Sequence, residues 1–193
     1  KTVGLLALLA MSGLPIPAAG GTRVPWFDRI VCDIGDEQSL LSDVSTFLSH
    51  LRRVAEALSQ ATPRSLVLLD ELGSGTAPTE GAALGQAVLE RLLELKTLCL
   101  ATTHHGALKS FAQETAGVRN ASMAFDEETL KPRFVLVVGV PGRSRAIQVA
   151  ERFGVERAVL DRARELLPAA ERDLGALIEE LSRLKADAAR ERE

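Results

Sequence analysis

The stretch Ser65-Leu-Val-Leu-Leu-Asp-Glu-Leu-Gly-Ser-Gly-Thr76 decides the fold of this chain. Leu66 to Leu69 include no polar side chain, which is typical of a strand that is covered on both faces in a parallel sheet. Two carboxylates, Asp70 and Glu71, follow the strand directly, and a glycine-rich turn follows them. Functional sites of such sheets lie at the carboxyl ends of the strands. The stretch therefore predicts an α/β protein with Asp70 and Glu71 at its functional edge.

Composition limits the class of protein. The chain has 193 residues, of which 46% are hydrophobic and 25% charged, the balance of a globular protein with one core and an appendage. Its formal charge of -3 argues against a module that grips nucleic acid by neutralising phosphates, so contacts with nucleic acid are expected mostly outside this segment. Cys32 and Cys99 lie in apolar stretches without metal-ligand spacing, which predicts two buried, reduced thiols in a cytoplasmic protein.

The amino terminus imitates a secretory signal peptide, with Lys1, the apolar run 5–11 and the small residues 17–20. We interpret the run instead as a buried helix that ends near Gly13. Because the chain opens with Lys rather than Met, we expect it to be a fragment of a longer protein. No other segment approaches the length of a membrane span, so no membrane partner is expected.

Alternating periodicities predict an α/β core that is followed by helices. Helices are expected over 2–12, 38–61, 79–95 and 107–111, and strands over 27–33, 66–69 and 97–101. A hairpin of 121–126 and 133–138, joined by the turn 127–131, is expected on the edge of the sheet.

The character of the sequence changes after Pro141. Helices over 145–153 and 156–167 have the shape of a helix-turn-helix, which is not by itself evidence of DNA reading. Beyond Pro168, a two-heptad apolar pattern indicates the start of a coiled coil, with an amphipathic surface helix as the alternative; it consists of Leu174, Leu177, Leu181, Leu184 and Ala188. The predicted domains are 1–141, 142–168 and 169–193.

The chain begins with Lys1-Thr2 at the start of a helix, which is how a phosphate-binding loop ends. There, Lys1 would reach the β and γ phosphates of a nucleotide, and the Thr2 hydroxyl would bind magnesium. The glycines of such a loop are not in this sequence, so the phosphate cradle is incomplete and we expect this chain alone to bind nucleotide poorly.

Three further side chains complete the predicted site. Asp70 would supply the second protein contact to Mg²⁺, and Glu71 would polarise the attacking water. His104 closes the next strand and would hydrogen-bond the γ phosphate, whereas His105 is the less favoured partner. Together these residues predict a nucleotide triphosphatase with Mg²⁺ as a cofactor.

Three motifs stand in order along the chain: Ser45-Thr-Phe47, Asp70-Glu-Leu-Gly-Ser-Gly-Thr76 and Ala101-Thr-Thr-His104. In order and spacing they resemble the ATPase domain of the MutS family, which belongs to the ABC-type ATPases of the P-loop NTPase fold. Three stretches resemble more narrowly the second bacterial MutS lineage, whose members lack mismatch-reading domains and carry a carboxyl-terminal Smr nuclease domain. These stretches are Asp33-Ile-Gly-Asp-Glu-Gln-Ser39, Ser45-Thr-Phe-Leu-Ser-His50 and Pro141-Gly-Arg-Ser144.

The resemblance implies a homodimer in which each ATP lies between two subunits. Lys1, Thr2, Asp70, Glu71 and His104 would serve one site, and Ser45 would contact the γ phosphate of the partner's ATP. The turn 73–76 would cross the interface, the helical pair after Pro141 would contribute to the dimer contact, and the heptads would lead to the Smr domain. The implied roles are suppression of homologous recombination, DNA repair or rescue of stalled ribosomes. DNA, as branched or recombination intermediates, or the ribosome would then bind through regions outside this chain.

Two alternatives stay open at this stage. An ABC-type ATPase of coiled-coil chromosome-maintenance proteins would explain the heptads, but its Leu-Ser-Gly-Gly signature is absent and Ser42-Asp-Val-Ser-Thr-Phe47 stands in its place. A nucleotide-independent scaffold that dimerises through the helical pair and the heptads is the other alternative.

Overall fold

The computed structural model describes residues 1–34, 43–126, 129, 131–142 and 144–168, with the side chains of 43–46 excepted. Contacts divide the chain into two compact units, Lys1–Phe111 and Ala112–Glu193. In chain order, the elements are α1 (Thr2–Met11), β1 (Arg29–Asp33), α2 (Asp43–Gln60), β2 (Ser65–Leu69), α3 (Pro78–Glu94), β3 (Leu98–Ala101), α4 (Gly106–Glu114), β4 (Ala121–Asp126), β5 (Lys131–Val138), α5 (Ala146–Arg152) and α6 (Arg157–Leu166).

The first unit is built on a parallel sheet in the order β1-β2-β3. Val31 of β1 pairs with Val67 of β2, and Val67 pairs with Cys99 of β3. All five residues of the central strand β2 are buried, as its uninterrupted apolar run predicts. The prediction of an α/β fold is confirmed.

Side chains of β2 alternate between two apolar clusters, because successive residues of a strand point to opposite faces. Leu66 and Leu68 join Phe27 and Ala7 of α1 on one face. Val67 and Leu69 join the second cluster, whose other buried members are Ala57, Leu72, Val88, Leu92 and Leu108. Helices from both sides thus enclose the central strand and hold its carboxyl end in a fixed position.

The second unit contains the predicted hairpin and helical pair. β4 pairs antiparallel with β5, with an irregularity in the register between Met123 and Phe125. The expectation that this hairpin lies on the edge of the parallel sheet is wrong for the part of the chain that the structure describes, because there β4 and β5 form a sheet of their own. An antiparallel hairpin satisfies its ladder of hydrogen bonds locally, so the sequence pattern that predicts it does not fix a neighbouring strand.

The cysteine prediction is wrong for Cys32, whose side chain is exposed. Cys32 lies in β1, an edge strand that the helices cover only in part. Cys99 is partly buried, and this burial raises the pKa of its thiol to about 12.

The predicted element bounds differ from those of the structure mainly at the ends. Strand β5 begins at Lys131, two residues earlier than expected, and α5 ends one residue earlier. The first five residues of the predicted helix 38–61, most of the turn 127–131 and the heptads beyond Pro168 lie outside the described residues.

Candidate functional site

The carboxyl ends of the three parallel strands are joined by main-chain hydrogen bonds beyond the strands themselves. The Asp70 amide donates to the Asp33 carbonyl at 2.9 Å, and the Thr102 amide donates to the Leu69 carbonyl at 2.9 Å. The Leu72 amide then donates to the Thr102 carbonyl at 2.8 Å. Asp33 at the end of β1, Asp70 after β2 and Thr102 after β3 are thereby held at one edge of the sheet, where the sequence predicts the site.

One hydroxyl group organises both predicted carboxylate residues. Thr102 Oγ1 donates to Asp70 Oδ1 at 2.5 Å and accepts a hydrogen bond from the Glu71 amide at 2.9 Å. The first bond fixes the Asp70 carboxylate and the second fixes the main chain at Glu71. Sequence reasoning gave Thr102 no role, although it lies in the quoted motif Ala101-Thr-Thr-His104.

Lys1 approaches the same carboxylate from the start of α1. Its Nζ lies 3.9 Å from Asp70 Oδ2, with side-chain exposures of 67% and 34%. An ion pair this exposed adds little to stability, so its value is geometric. It brings the amino terminus of α1, whose first turn has no acidic residue, to the carboxylate edge. Free amide groups and the helix dipole favour an anion at such a terminus.

A tight turn carries the chain from Glu71 into α3. Glu71 itself has φ 52°, in the left-handed region, and the Ser74 amide donates to its carbonyl at 3.0 Å. Gly73 also has positive φ, and a Cβ there would lie 2.6 Å from the Gly81 carbonyl oxygen. Glycine at positions 73 and 81 lets the turn pack directly on the first turns of α3.

The residues after β3 support this turn from the other side. Thr103 Oγ1 donates to the Leu72 carbonyl at 3.0 Å and accepts from the His105 amide at 3.1 Å. His104 is exposed, whereas His105 is buried, and their rings lie 4.5 Å apart. Nε2 of His105 has no hydrogen-bond partner among the described residues.

A cleft opens beside the carboxylates, between α2 and α3. The cleft has a volume of about 30 Å³, which is room for on the order of one or two water molecules. Its lining includes Asp33, His50, Asp70, Glu71 and Ser74.

Asp33 is the second group that sequence reasoning missed as a site residue. Only 3% of it is exposed, and its carboxylate meets His50 Nδ1 at 2.8 Å and Arg53 Nη1 at 3.4 Å. The sequence signal that could have identified Asp33 is an acidic residue at the end of an apolar strand. Such a carboxylate, when buried, requires polar partners. Those partners lie 17 and 20 residues further along the chain, a separation that no local pattern reveals.

The structure therefore brings part of the predicted set together. Lys1, Asp70 and Glu71 meet at one edge, with Thr2 next to Lys1 at the start of α1. His104 follows Thr102 by two residues on the neighbouring connection. Ser45 belongs to α2, and its side chain lies outside the described part of the structure.

The donor set at this edge has the chemistry that Mg²⁺ prefers. A carboxylate at Asp70 and a hydroxyl at Thr2 are oxygen ligands, and Mg²⁺ usually takes only one or two carboxylates from the protein. Within the described ranges, no three residues among His, Cys, Asp and Glu are grouped as a metal cage. The arrangement fits a Mg²⁺ ion that takes some of its ligands from the protein and others from a bound phosphate.

These features define an α/β protein with its polar groups at the carboxyl edge of a parallel sheet. Comparison with known proteins then gives the family: the family model described as MutS domain V matches residues 1–171. The chain belongs to the MutS family. No helix among the residues described has the length and apolar character needed to span a membrane.

The curated relatives are similar to the chain over nearly its whole length. It is 54% identical over 183 residues to the endonuclease MutS2 of Thermomicrobium roseum, which is 95% of this chain and 23% of that protein. It is 55% identical over 181 residues to the endonuclease MutS2 of Thermus thermophilus, 94% of this chain and 24% of that protein. The chain thus spans about a quarter of the length of the curated relatives it matches.

Proposed function

We propose that this chain is the ATP-binding, ATP-hydrolysing and dimerising module of a MutS-like DNA-processing protein, with a P-loop NTPase fold of the ABC type. The observation that carries the proposal is the network in which Thr102 holds Asp70 and Glu71 while Lys1 faces Asp70. Membership of the MutS family supports it independently.

The phosphates of ATP bind at the start of α1. Lys1 carries the positive charge that pairs with the β and γ phosphates of ATP, and the amide groups of the first turn of α1 face the same region. Thr2 and Asp70 hold Mg²⁺, which supplies neutralisation of charge on the phosphates. The hydrogen bond from Thr102 leaves Asp70 Oδ2, the oxygen nearer Lys1, available to the ion.

Hydrolysis needs a group that orients and polarises water, and we assign this role to Glu71. A hydrogen bond to Thr102 fixes the main chain of Glu71, and Glu71 lines the cleft that has room for water. His104, exposed beyond β3, hydrogen-bonds the γ phosphate.

Dimerisation places each ATP between two subunits in this proposal. Ser45 of α2 contacts the γ phosphate of the partner's ATP, and the turn 73–76 crosses the interface. The packing of α2 against this turn supports a link between them, since a Cβ on Gly75 would lie 3.5 Å from Phe47 Cβ. The helical pair α5 and α6 contributes to the dimer contact.

The partners of the whole protein are branched DNA or recombination intermediates, or the ribosome, and they bind through regions outside this chain. Nuclease action, which the names of the relatives include, belongs to parts of the protein outside the quarter that this chain matches. The associated roles are suppression of homologous recombination, DNA repair or rescue of stalled ribosomes, in the cytoplasm.

Magnesium-dependent ATP binding tests the proposal. It is measured for this chain and for the gene product that contains it, because the chain spans about a quarter of the length of the curated relatives. The expected result is tight binding by the gene product and weak binding by the chain alone. Binding by neither would refute the proposal.

Replacement of Glu71 by glutamine tests the assignment of the water-polarising group. In the gene product, Glu71→Gln should keep ATP binding, increase the dimer fraction and lower turnover by about 10²- to 10⁴-fold, as expected for the loss of a general base. Glu90→Gln is the matched control, because Glu90 is exposed on α3 and pairs only with Gln86 in the described structure. Unchanged turnover in Glu71→Gln would contradict the assignment.

A nucleotide-independent scaffold is the second candidate, and exposed apolar side chains in the second unit favour it. Phe134 of β5 is 82% exposed and Phe153 is 83% exposed, as expected of surfaces that associate. Light scattering with and without Mg²⁺-ATP separates the two functions, because a scaffold associates equally in both conditions. The chromosome-maintenance ATPase is the weaker reading, since MutS domain V matches residues 1–171.

A further inference from the structure

Asp33 contacts two parts of the first unit at once. Its main-chain carbonyl accepts a hydrogen bond from the Asp70 amide at 2.9 Å, which ties β1 to the carboxylate edge. Its side chain contacts His50 and Arg53, which lie three residues apart on α2. The residue therefore joins α2 to the strand end from which Asp70 and Glu71 emerge.

The Asp33 carboxylate fixes which atom donates in its hydrogen bond with His50. A buried, ionised carboxylate can only accept hydrogen bonds, so Asp33 selects the imidazole form of His50 that carries a proton on Nδ1. Oδ2 faces His50 at 2.8 Å and Oδ1 faces Arg53 at 3.4 Å, so each carboxylate oxygen has a partner on α2. With only 4% of the Asp33 side chain exposed, water cannot readily replace a lost partner.

The joined elements form the walls of the cleft beside Glu71. Phe47 and His50 line it from α2, and Glu71 and Ser74 line it from the turn after β2. A shift of α2 would move one wall of the cleft relative to the other, whereas the side chain of Asp70 has its polar contacts with Lys1 and Thr102.

We propose that Asp33 is a positioning residue: through His50 it sets the distance of α2 from Glu71 and thereby places water in the cleft for ATP hydrolysis. This inference rests on the proposed ATPase function. It predicts a selective effect on turnover, because nucleotide binding depends on Lys1, Thr2 and Asp70, while the water depends on the cleft. A misplacement of reacting groups by about 1 Å can lower a rate by up to about 100-fold.

Steady-state ATPase kinetics of the gene product that contains this chain test the proposal. Asp33→Asn should lower kcat about tenfold and leave KM for ATP within about twofold, the size of effect expected for a supporting hydrogen-bond partner. Arg52→Gln is the matched control on α2. It also removes a charge, but Arg52 is exposed and forms no hydrogen bond or ion pair with Asp33 in the described structure.

Two variants of His50 separate positioning from a direct role of the imidazole. Asparagine places an amide donor near the position of Nδ1, so His50→Asn should keep most of the turnover, whereas His50→Leu should lose it as Asp33→Asn does. These variants also serve if Asp33→Asn does not fold. Loss of turnover in His50→Asn equal to that in His50→Leu would overturn the proposal.

The tautomer of His50 gives a readout that does not require turnover. Long-range ¹H–¹⁵N spectra of the imidazole should show the Nδ1–H form in the unmodified protein. The Nε2–H form there, or equal kcat in Asp33→Asn and Arg52→Gln, would overturn the inference while ATP hydrolysis by the unmodified protein still stands. Absence of hydrolysis by the unmodified protein would overturn the ATPase function, and this inference with it.

Discussion

Replacement of Thr102 by valine is the sharpest test of the carboxylate edge. Valine keeps the shape and the strand preference of threonine but removes Oγ1, which donates to Asp70 at 2.5 Å and accepts from the Glu71 amide at 2.9 Å. A buried hydrogen bond to a charged group contributes about 1.5–3 kcal/mol. Thr102 is exposed, so water takes over part of both bonds. We therefore expect a loss of about 1 kcal/mol in the free energy of unfolding.

The same change should weaken magnesium-dependent nucleotide binding more than it weakens the fold. Without Oγ1, the Asp70 carboxylate loses the bond that orients it, and loss of such a supporting bond lowers metal affinity by about 10- to 100-fold. Because the site is exposed, we expect the lower end of that range. Urea denaturation gives the stability of each variant, and titration calorimetry of the gene product gives its affinity for Mg²⁺-ATP.

Two matched variants show whether the hydroxyl is the cause. Thr102→Ser restores the hydroxyl and should restore affinity. Thr22→Val removes an exposed hydroxyl whose one partner among the described residues is the Ala19 carbonyl, and it should change neither quantity. A double-mutant cycle with Asp70→Asn should give a coupling free energy above about 0.5 kcal/mol. Equal affinities of Thr102→Val and the unmodified protein, or a coupling within experimental error of zero, would refute the reasoning.

Two further predictions concern the turn and the cysteines. Gly81→Ala should lower the free energy of unfolding by about 1–3 kcal/mol despite the higher helix propensity of alanine, because the new Cβ would overlap the carbonyl oxygen of Gly73. Urea denaturation measures this loss, and an unchanged midpoint would contradict the close packing. Native protein at pH 8 should react with a thiol reagent rapidly at exposed Cys32 and slowly at Cys99, because burial raises the pKa of the Cys99 thiol to about 12 and keeps it protonated. The change of absorbance measures both reactions, and equal rates for the two thiols would contradict the burial of Cys99.

Local sequence was sufficient for the elements that carry strong patterns. The apolar run 66–69 predicted a buried strand, and all of β2 is buried. The carboxylates that follow it lie at the edge of the sheet, because the strand direction fixes where its next residue emerges. The same local reasoning was wrong for Cys32, since an apolar neighbourhood in sequence does not tell an edge strand from a central one.

Contacts between distant segments could not be predicted in the same way. Thr102 reaches residues 31 and 32 positions earlier in the chain, and Asp33 meets α2 across 17 and 20 residues. Each of these contacts depends on the register of parallel strands or on where a helix crosses the sheet. Neither quantity is encoded by periodicity, which reports only whether a residue faces inward.

The sequence by itself determined the alternation of helices and strands, the burial of β2 on both faces and the presence of Asp70 and Glu71 at its end, because hydrophobic period and strand direction are local properties. Only the tertiary structure decided that Thr102 holds the Asp70 carboxylate and the Glu71 amide, and that Asp33 anchors α2 beside them. The physical reason is that hydrogen bonds between side chains require atoms to approach within about 3 Å. Packing of the two apolar clusters on β2 brings these distant residues that close.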